Sequence, residues 1–168
     1  MQRDGVRAAR LGRRGHGIHP DLERHARARP PPARRRFYAG TRGGYEAFQP
    51  FLVDGAPYGG LVGTAPDLAR FLGAHLGGGS FEGKRILSEA SAAAMREPQR
   101  DLRGRALPVG LGWHLGALDG EPFAYHLGGG AGFRSELRIY PRLDCGAAVV
   151  ANETSFDTGQ VTRLVVGR

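Results

Sequence analysis

The sequence predicts an α/β fold of the α+β kind, in which three or four antiparallel strands pack against two helices. Two stretches before residue 98 repeat their apolar residues at helical spacing, whereas after Gly110 apolar residues recur at every second position. The chain also holds 28 glycines and 11 prolines in 168 residues, which favours a loop-rich domain over a helical bundle. A chain of this length can bury a core of its own.

The first predicted helix lies in GTAPDLARFLGAHLGGG, residues 63–79. Thr64 can cap the free amides, with Asp67 in the capping-box position three residues later. Pro66 suits the first turn, because no hydrogen bond is lost there. The glycines at 77–79 end the helix. The residues at helical spacing, which we expect to form its packed face, are Leu68, Phe71, Leu72, His75 and Leu76.

A second helix is predicted in ILSEASAAAMREP, residues 86–98. Ser88 is suited to cap its first turn, and Glu89 favours the positive end of the helix dipole. Pro98 marks its exit. At the other end of the chain, Val161, Leu164 and Val165 begin a third helical stripe.

Four strands are predicted after Gly110, at residues 111–115, 123–127, 133–140 and 145–152. In the third strand the odd-numbered residues share one face and the even-numbered residues the other. The fourth strand, CGAAVVAN, is small and apolar throughout, which is typical of a strand buried on both faces. Short strands at this spacing predict an antiparallel meander.

The basic charge of the chain is concentrated at its N-terminal end. Residues 1–42 contain 12 arginines and three acidic residues, a net charge of +9, whereas residues 43–168 sum to −1. We therefore predict a basic, disordered arm at residues 1–36 and a globular portion at residues 37–168. Aromatic residues are absent before Phe37, and no helix-turn-helix or zinc-finger pattern accompanies the arginines. Binding of nucleic acid by this arm is the disfavoured alternative.

Several other function classes are not favoured. No membrane-spanning run and no signal peptide are visible, so the sequence as written predicts a cytoplasmic protein that does not contact a membrane. The single cysteine, Cys145, allows no intrachain disulfide and has the small apolar neighbours of a buried residue. The six histidines form no H-x-x-x-H pair, so we expect neither a metal nor a cofactor. Trp113 is expected in the core, although a pocket wall is the alternative.

The motif YHLGGGAGF, residues 125–133, carries the candidate chemistry. No lysine follows its glycines as a phosphate loop requires, and no helix opens after them as in a dinucleotide site. The motif could be only a hairpin turn. Alternatively, it is a strand edge beside a reaction centre, where Gly128 and Gly129 leave the backbone open to a ligand and His126 offers a donor or a proton. A triad of Ser135, His126 and Asp144 is disfavoured, because nothing positions the three residues locally.

Five short motifs follow one another within residues 45–155. They are YGGLVGTAPDLARFL, ILSEASAAAM, GLGW, HLGGGAGFRSELRIYP and GAAVVAN. Their order resembles the serine β-lactamase-related family, which includes class C β-lactamases, penicillin-binding-protein-like esterases and D-amino-acid peptidases. The H-x-G of residues 126–128 looks like the family's third motif, K-T-G in other members. The resemblance implies a β-lactamase/transpeptidase-like fold, a strand at His126 and Gly128 that lines the active site, and an oxyanion amide at Gly129.

The family's nucleophile motif, however, is not in this sequence. Lys84 is the sole lysine and Phe81 stands three residues before it, so S-x-x-K is absent, as are Y-x-N and S-x-N. The resemblance therefore implies the C-terminal portion of a serine hydrolase, N-terminally incomplete and inactive alone, because no acyl-enzyme can form without a nucleophile.

The resemblance also implies the substrates and partners of the parent activity. The substrates would be small-molecule amides, esters or β-lactams. An oligomer, or a separate N-terminal half, is expected to cover the sheet edge that missing strands would expose. The alternative is a non-catalytic binding module whose basic arm binds nucleic acid.

Overall fold

The computed structural model describes residues 6–12, 37–41, 44–48, 59, 61 and 63–167. The strands there are β1 (Val6–Gly12), β2 (Phe37–Thr41), β3 (Gly44–Phe48), β4 (Ser80–Phe81), β5 (Lys84–Arg85), β6 (His114–Leu118), β7 (Glu121–Gly130), β8 (Phe133–Tyr140) and β9 (Cys145–Ala151). The α-helices there are α1 (Ala65–Leu76), α2 (Glu89–Ala94) and α3 (Thr158–Arg163). Short 3₁₀ turns occupy Pro141–Leu143 and Leu164–Val166.

The central element is an antiparallel sheet of five strands in the order β1-β9-β8-β7-β6. Strands β6 to β9 form the meander that the alternating pattern predicts, and β8 and β9 begin where the sequence places them. β9 is buried along nearly its whole length, as expected for a strand covered on both faces. Two small hairpins, β2–β3 and β4–β5, complete the described sheets.

Helix α1 packs on one face of the sheet, and its capping box is confirmed. The Asp67 amide donates to the Thr64 hydroxyl oxygen at 3.3 Å, and the Thr64 amide donates to the Asp67 carboxylate at 3.1 Å. The predicted packed face is partly wrong, because Phe71 is 40% exposed while Ala69 is buried. The apolar core on this side is formed by Leu72, Trp113, Ala124, Ile139 and Ala148.

Helix α3 and the turn after it pack on the opposite face. Here Val165 joins a cluster with Tyr140, Cys145 and Ala147, and the prediction of a buried cysteine is confirmed. The stripe predicted for this helix is partly wrong, because Leu164 is 65% exposed. Thr158 and Thr162 are buried instead, since this face of the sheet carries charged groups that need hydrogen-bond partners.

Strand β6 begins three residues later than predicted. The Gly110 amide donates to the Trp113 carbonyl at 2.7 Å, and Gly112 has a φ of +76°, so residues 110–113 form a turn rather than a strand. The prediction that Trp113 belongs to the core is confirmed, because its side chain is only 3% exposed.

Strand β1 lies inside the basic segment 1–36, for which no ordered element was predicted. Its backbone pairs with β9 from Val6 opposite Ala151 to Gly12 opposite Cys145. The edge of β9 is therefore covered, so the unpaired edge expected from missing strands does not lie there. The rest of segment 1–36 lies outside the described residues, and the domain boundary at residue 36 stays a prediction.

Candidate active site

The glycine-bearing half of β7 forms an open edge of the sheet. On one side it pairs with β8, which places His126 opposite Leu137, Gly128 opposite Ser135 and Gly129 opposite Arg134. On the other side β6 accompanies β7 only as far as Tyr125, so within the described sheet His126 and the glycines have no second strand beside them. His126 and Gly129 are exposed, and Gly128 is half-buried.

Two of the three glycines are required by packing against β8. A side chain at Gly128 would collide with the Ser135 hydroxyl, and a Cβ at Gly130 would lie 2.7 Å from the Phe133 ring. A Cβ at Gly129 would meet the flexible Arg134 side chain at 3.3 Å and the Phe133 carbonyl oxygen at 3.7 Å, which is an ordinary contact distance. The absence of a side chain at Gly129 therefore serves the open edge more than the packing of the sheet.

The tip of the β7–β8 hairpin is held by a hydrogen bond to the segment that follows β9. Gly132 is buried with a φ of +80°, and its amide donates to the Thr154 hydroxyl at 2.6 Å. Thr154 belongs to the segment between β9 and α3. The open edge is thus held at its tip by this bond and along its length by β8.

The side chain of His126 has a second imidazole as its neighbour. The ring centres of His114 and His126 are 6.0 Å apart, and both residues are exposed. His114 also lies 5.2 Å from the ring of Tyr125. No sequence motif signals this pair, because its members come from different strands.

The disfavoured triad is not assembled. Ser135 lies near the start of β8, whereas Asp144 follows the end of that strand in a left-handed conformation with a φ of +48°. The five steps along the strand from Ser135 to Tyr140 span about 17 Å. Of the three residues, only Ser135 and His126 lie near the open edge.

A buried ion pair lies on the face of β8 that packs against α3. Glu136 is 2% exposed and accepts hydrogen bonds from the hydroxyls of Thr158 and Thr162, both at 2.8 Å. Its carboxylate also accepts a hydrogen bond from Nε of Arg138 at 2.9 Å and forms an ion pair with Nη2 of the same residue at 2.7 Å. The Arg138 guanidinium lies 4.3 Å above the centre of the Phe123 ring. All of these partners belong to the sheet or to α3, so the group serves to join them.

His75 is a packing residue, as the sequence predicts. It is 1% exposed, and its ring makes edge contacts with Phe71 and Trp113. Neither ring nitrogen has a hydrogen-bond partner among the described residues. Burial, and secondarily the nearby Arg96 guanidinium, lowers the pKa of His75 below its ordinary value. The ring is therefore held neutral and contributes no chemistry to the open edge.

Other features of the described residues do not add to the site. A shallow groove of about 350 Å³ is lined by Cys145 and the residues around Val165, at the end of the sheet far from the glycines. Residues 6–12, 37–48 where described, and 63–167 contain no cluster of three or more His, Cys, Asp or Glu side chains able to hold a metal. In the same ranges, no helix is long and apolar enough to span a bilayer.

Solved structures with the same arrangement define the class of fold. An octameric penicillin-binding protein homologue from Pyrococcus abyssi superposes with a TM-score of 0.60 over 79% of this chain and 30% of its own, at 19% identity. SurE superposes with a TM-score of 0.57 over 70% of this chain and 28% of its own, at 28% identity. The chain, with its antiparallel sheet between helices, thus has the β-lactamase/transpeptidase-like fold.

Sequence comparison identifies the family within that class. The family model described as Beta-lactamase matches residues 1–166. Penicillin-binding protein 4 of Amycolatopsis lactamdurans is 39% identical over 117 residues, which cover 65% of this chain and 31% of that protein. The chain belongs to the beta-lactamase family, and the match extends beyond residues 45–155 to include the basic segment. It spans about a third of the length of the curated relative.

Proposed function

We propose that this chain supplies the strand that lines one side of an acyl-transfer site for small amides, esters or β-lactams. We also propose that the chain alone does not turn over substrate. The observation that carries the proposal is the open edge of β7, where His126 and Gly129 are exposed three positions apart on one strand. A backbone amide at such an edge can donate to the oxygen that becomes negative during acyl transfer.

The proposed roles follow from position. Along an antiparallel strand, backbone groups point alternately toward the partner strand and away from it, so the glycine run has amides directed to the open side. We assign the oxyanion donor to Gly129, with Gly128 keeping the approach clear and His126 supplying a donor or a proton. No S-x-x-K motif occurs in the 168 residues, so the nucleophile would come from a segment not included in this sequence.

A chimera tests this division of labour. The part of the Amycolatopsis protein that this chain does not match would be fused to this chain, and hydrolysis of a chromogenic β-lactam and a nitrophenyl ester would be followed. We expect turnover by the chimera and neither turnover nor labelling by a penicillin probe with the chain alone. Labelling of the chain alone would contradict the need for an external nucleophile.

A matched pair of variants tests the oxyanion role within the chimera. Gly129→Pro removes the amide hydrogen and is expected to lower kcat about 10²–10³-fold. Gly129→Ala keeps the amide, and its added Cβ comes closest to the flexible Arg134 side chain, so kcat should stay within a few-fold of the parent. If Gly129→Pro instead unfolds the sheet, the amide pairs with β8 and the oxyanion assignment is wrong.

A further inference from the structure

The imidazole rings of His114 and His126 lie close together where β6 begins beside β7. His114 lies on β6 opposite Tyr125, so His126 is the next residue along β7 from its partner. Both imidazoles are exposed, their ring centres are 6.0 Å apart, and their planes are inclined by 41°. The sheet thus brings together two histidines that are twelve positions apart in the sequence.

This separation matches two imidazoles bound to one ion. With a metal–nitrogen bond of about 2.1 Å and a nitrogen about 1.1 Å from its ring centre, two such rings have centres roughly 5–6 Å apart. The observed 6.0 Å therefore lies at the upper end of that range, and small side-chain rotations of exposed residues cover the difference. Imidazole is a favourable ligand for Zn²⁺, Ni²⁺ and Cu²⁺.

We propose that His114 and His126 bind one divalent transition-metal ion, with water completing its coordination. Among the described residues no third histidine, cysteine or carboxylate joins the pair, so the site should exchange its ion readily rather than hold a structural metal. His75 does not compete for the ion, because its ring is enclosed by Phe71 and Trp113. An ion bound to the pair would occupy the imidazole of His126 and would thereby block the open edge to substrate. This consequence rests on the proposed function.

The chain contains its own reporter for the test. Trp113 is the only tryptophan and directly precedes His114. Cu²⁺ bound to the pair should quench its fluorescence saturably, and EDTA should restore the signal by removing the ion. The titration uses the full chain at neutral pH and needs no enzymatic activity, so its outcome is independent of whether the proposed function is right.

Variants distinguish the pair from other histidines. His114→Gln and His126→Gln should each raise the Cu²⁺ concentration at half-quenching at least about tenfold, because the second ligand acts at high effective concentration. The double variant should bind Cu²⁺ more weakly than either single variant, but by less than the product of the two single effects, since the chelate is already lost when one ligand is removed. Melting temperatures close to the parent value would exclude unfolding as the cause.

The control variant replaces the histidines of the basic segment, His16, His19 and His25, by glutamine. Its quenching curve should superimpose on that of the parent. The proposal is overturned if this control abolishes quenching, or if both single variants retain the parent midpoint.

Discussion

The two faces of the central sheet are buried by different means, although they share the strand β8. Toward α1, Ile139 packs in an apolar cluster with Leu72 and Ala148. Toward α3, Glu136 and Arg138 form an ion pair that two threonine hydroxyls complete. Dispersion and apolar area change gradually when a methyl group is removed, whereas a buried charge depends on every partner being present. The α3 face should therefore be far less tolerant of substitution.

The sharpest test of this difference is a pair of variants on β8. Glu136→Gln leaves the Arg138 guanidinium buried without its counter-charge, and we expect the free energy of unfolding to fall by about 3–5 kcal/mol. Ile139→Val, three residues away on the other face, should cost only about 0.5–1.5 kcal/mol. Urea unfolding followed by circular dichroism measures both.

A double variant shows whether the charge itself is responsible. Replacing both partners, as in Glu136→Leu with Arg138→Met, should recover much of the loss, because no unpaired charge remains. A double variant no more stable than Glu136→Gln would mean that the two threonine hydrogen bonds, rather than the ion pair, join α3 to the sheet.

The α1 face carries a buried polar side chain, His75, which makes this face sensitive to acid. The pKa of His75 is lowered in the folded state, so the unfolded chain binds a proton at a higher pH than the folded chain. The free energy of unfolding is therefore highest above the ordinary histidine pKa of 6.5. It decreases as the pH falls toward the lower pKa that His75 has in the folded chain. One proton gives a slope of at most about 1.4 kcal/mol per pH unit.

The variant His75→Leu should remove this slope. Urea unfolding of the parent and the variant between neutral pH and about pH 5 provides the measurement, and the remaining histidines cancel because both proteins contain them. A stability difference that does not change with pH would show that His75 titrates alike in the folded and unfolded chains.

The smallest effect concerns how α1 begins. Thr64→Ala removes the hydroxyl that accepts from the Asp67 amide, and we expect a loss of about 1 kcal/mol in the free energy of unfolding. Thr64→Ser keeps the capping oxygen and should lie close to the parent. Equal losses in the two variants would point to the methyl group of Thr64 rather than to the cap.

Elements with local signals were predictable from the sequence. The capping box fixes the start of α1, and the alternation in residues 133–140 defines β8. For the glycine motif the sequence allows either a hairpin turn or a strand edge, and the structure places residues 125–130 on β7. The role of the motif in a site stays a prediction. The start of β6 was missed because the turn at residues 110–113 depends on one backbone hydrogen bond and a positive φ that strand periodicity does not reveal.

Features that depend on pairing across the sheet were not predictable. β1 has too many arginines to look like a strand, and its order arises from hydrogen bonds to β9 over a distance of more than 130 residues. The burial of the charged residues of β8 was not predicted, because nothing in the sequence shows that the threonines of α3 will satisfy them. The His114–His126 pair likewise exists only through the register of β6 and β7.

The bond from the Gly132 amide to the Thr154 hydroxyl makes the hairpin and the segment leading to α3 mechanically continuous. A displacement of the hairpin tip must therefore either break this hydrogen bond or move Thr154 with it. A ligand bound at the hairpin tip would thus affect the segment that leads to α3. A ligand bound along the open edge would leave this hydrogen bond in place.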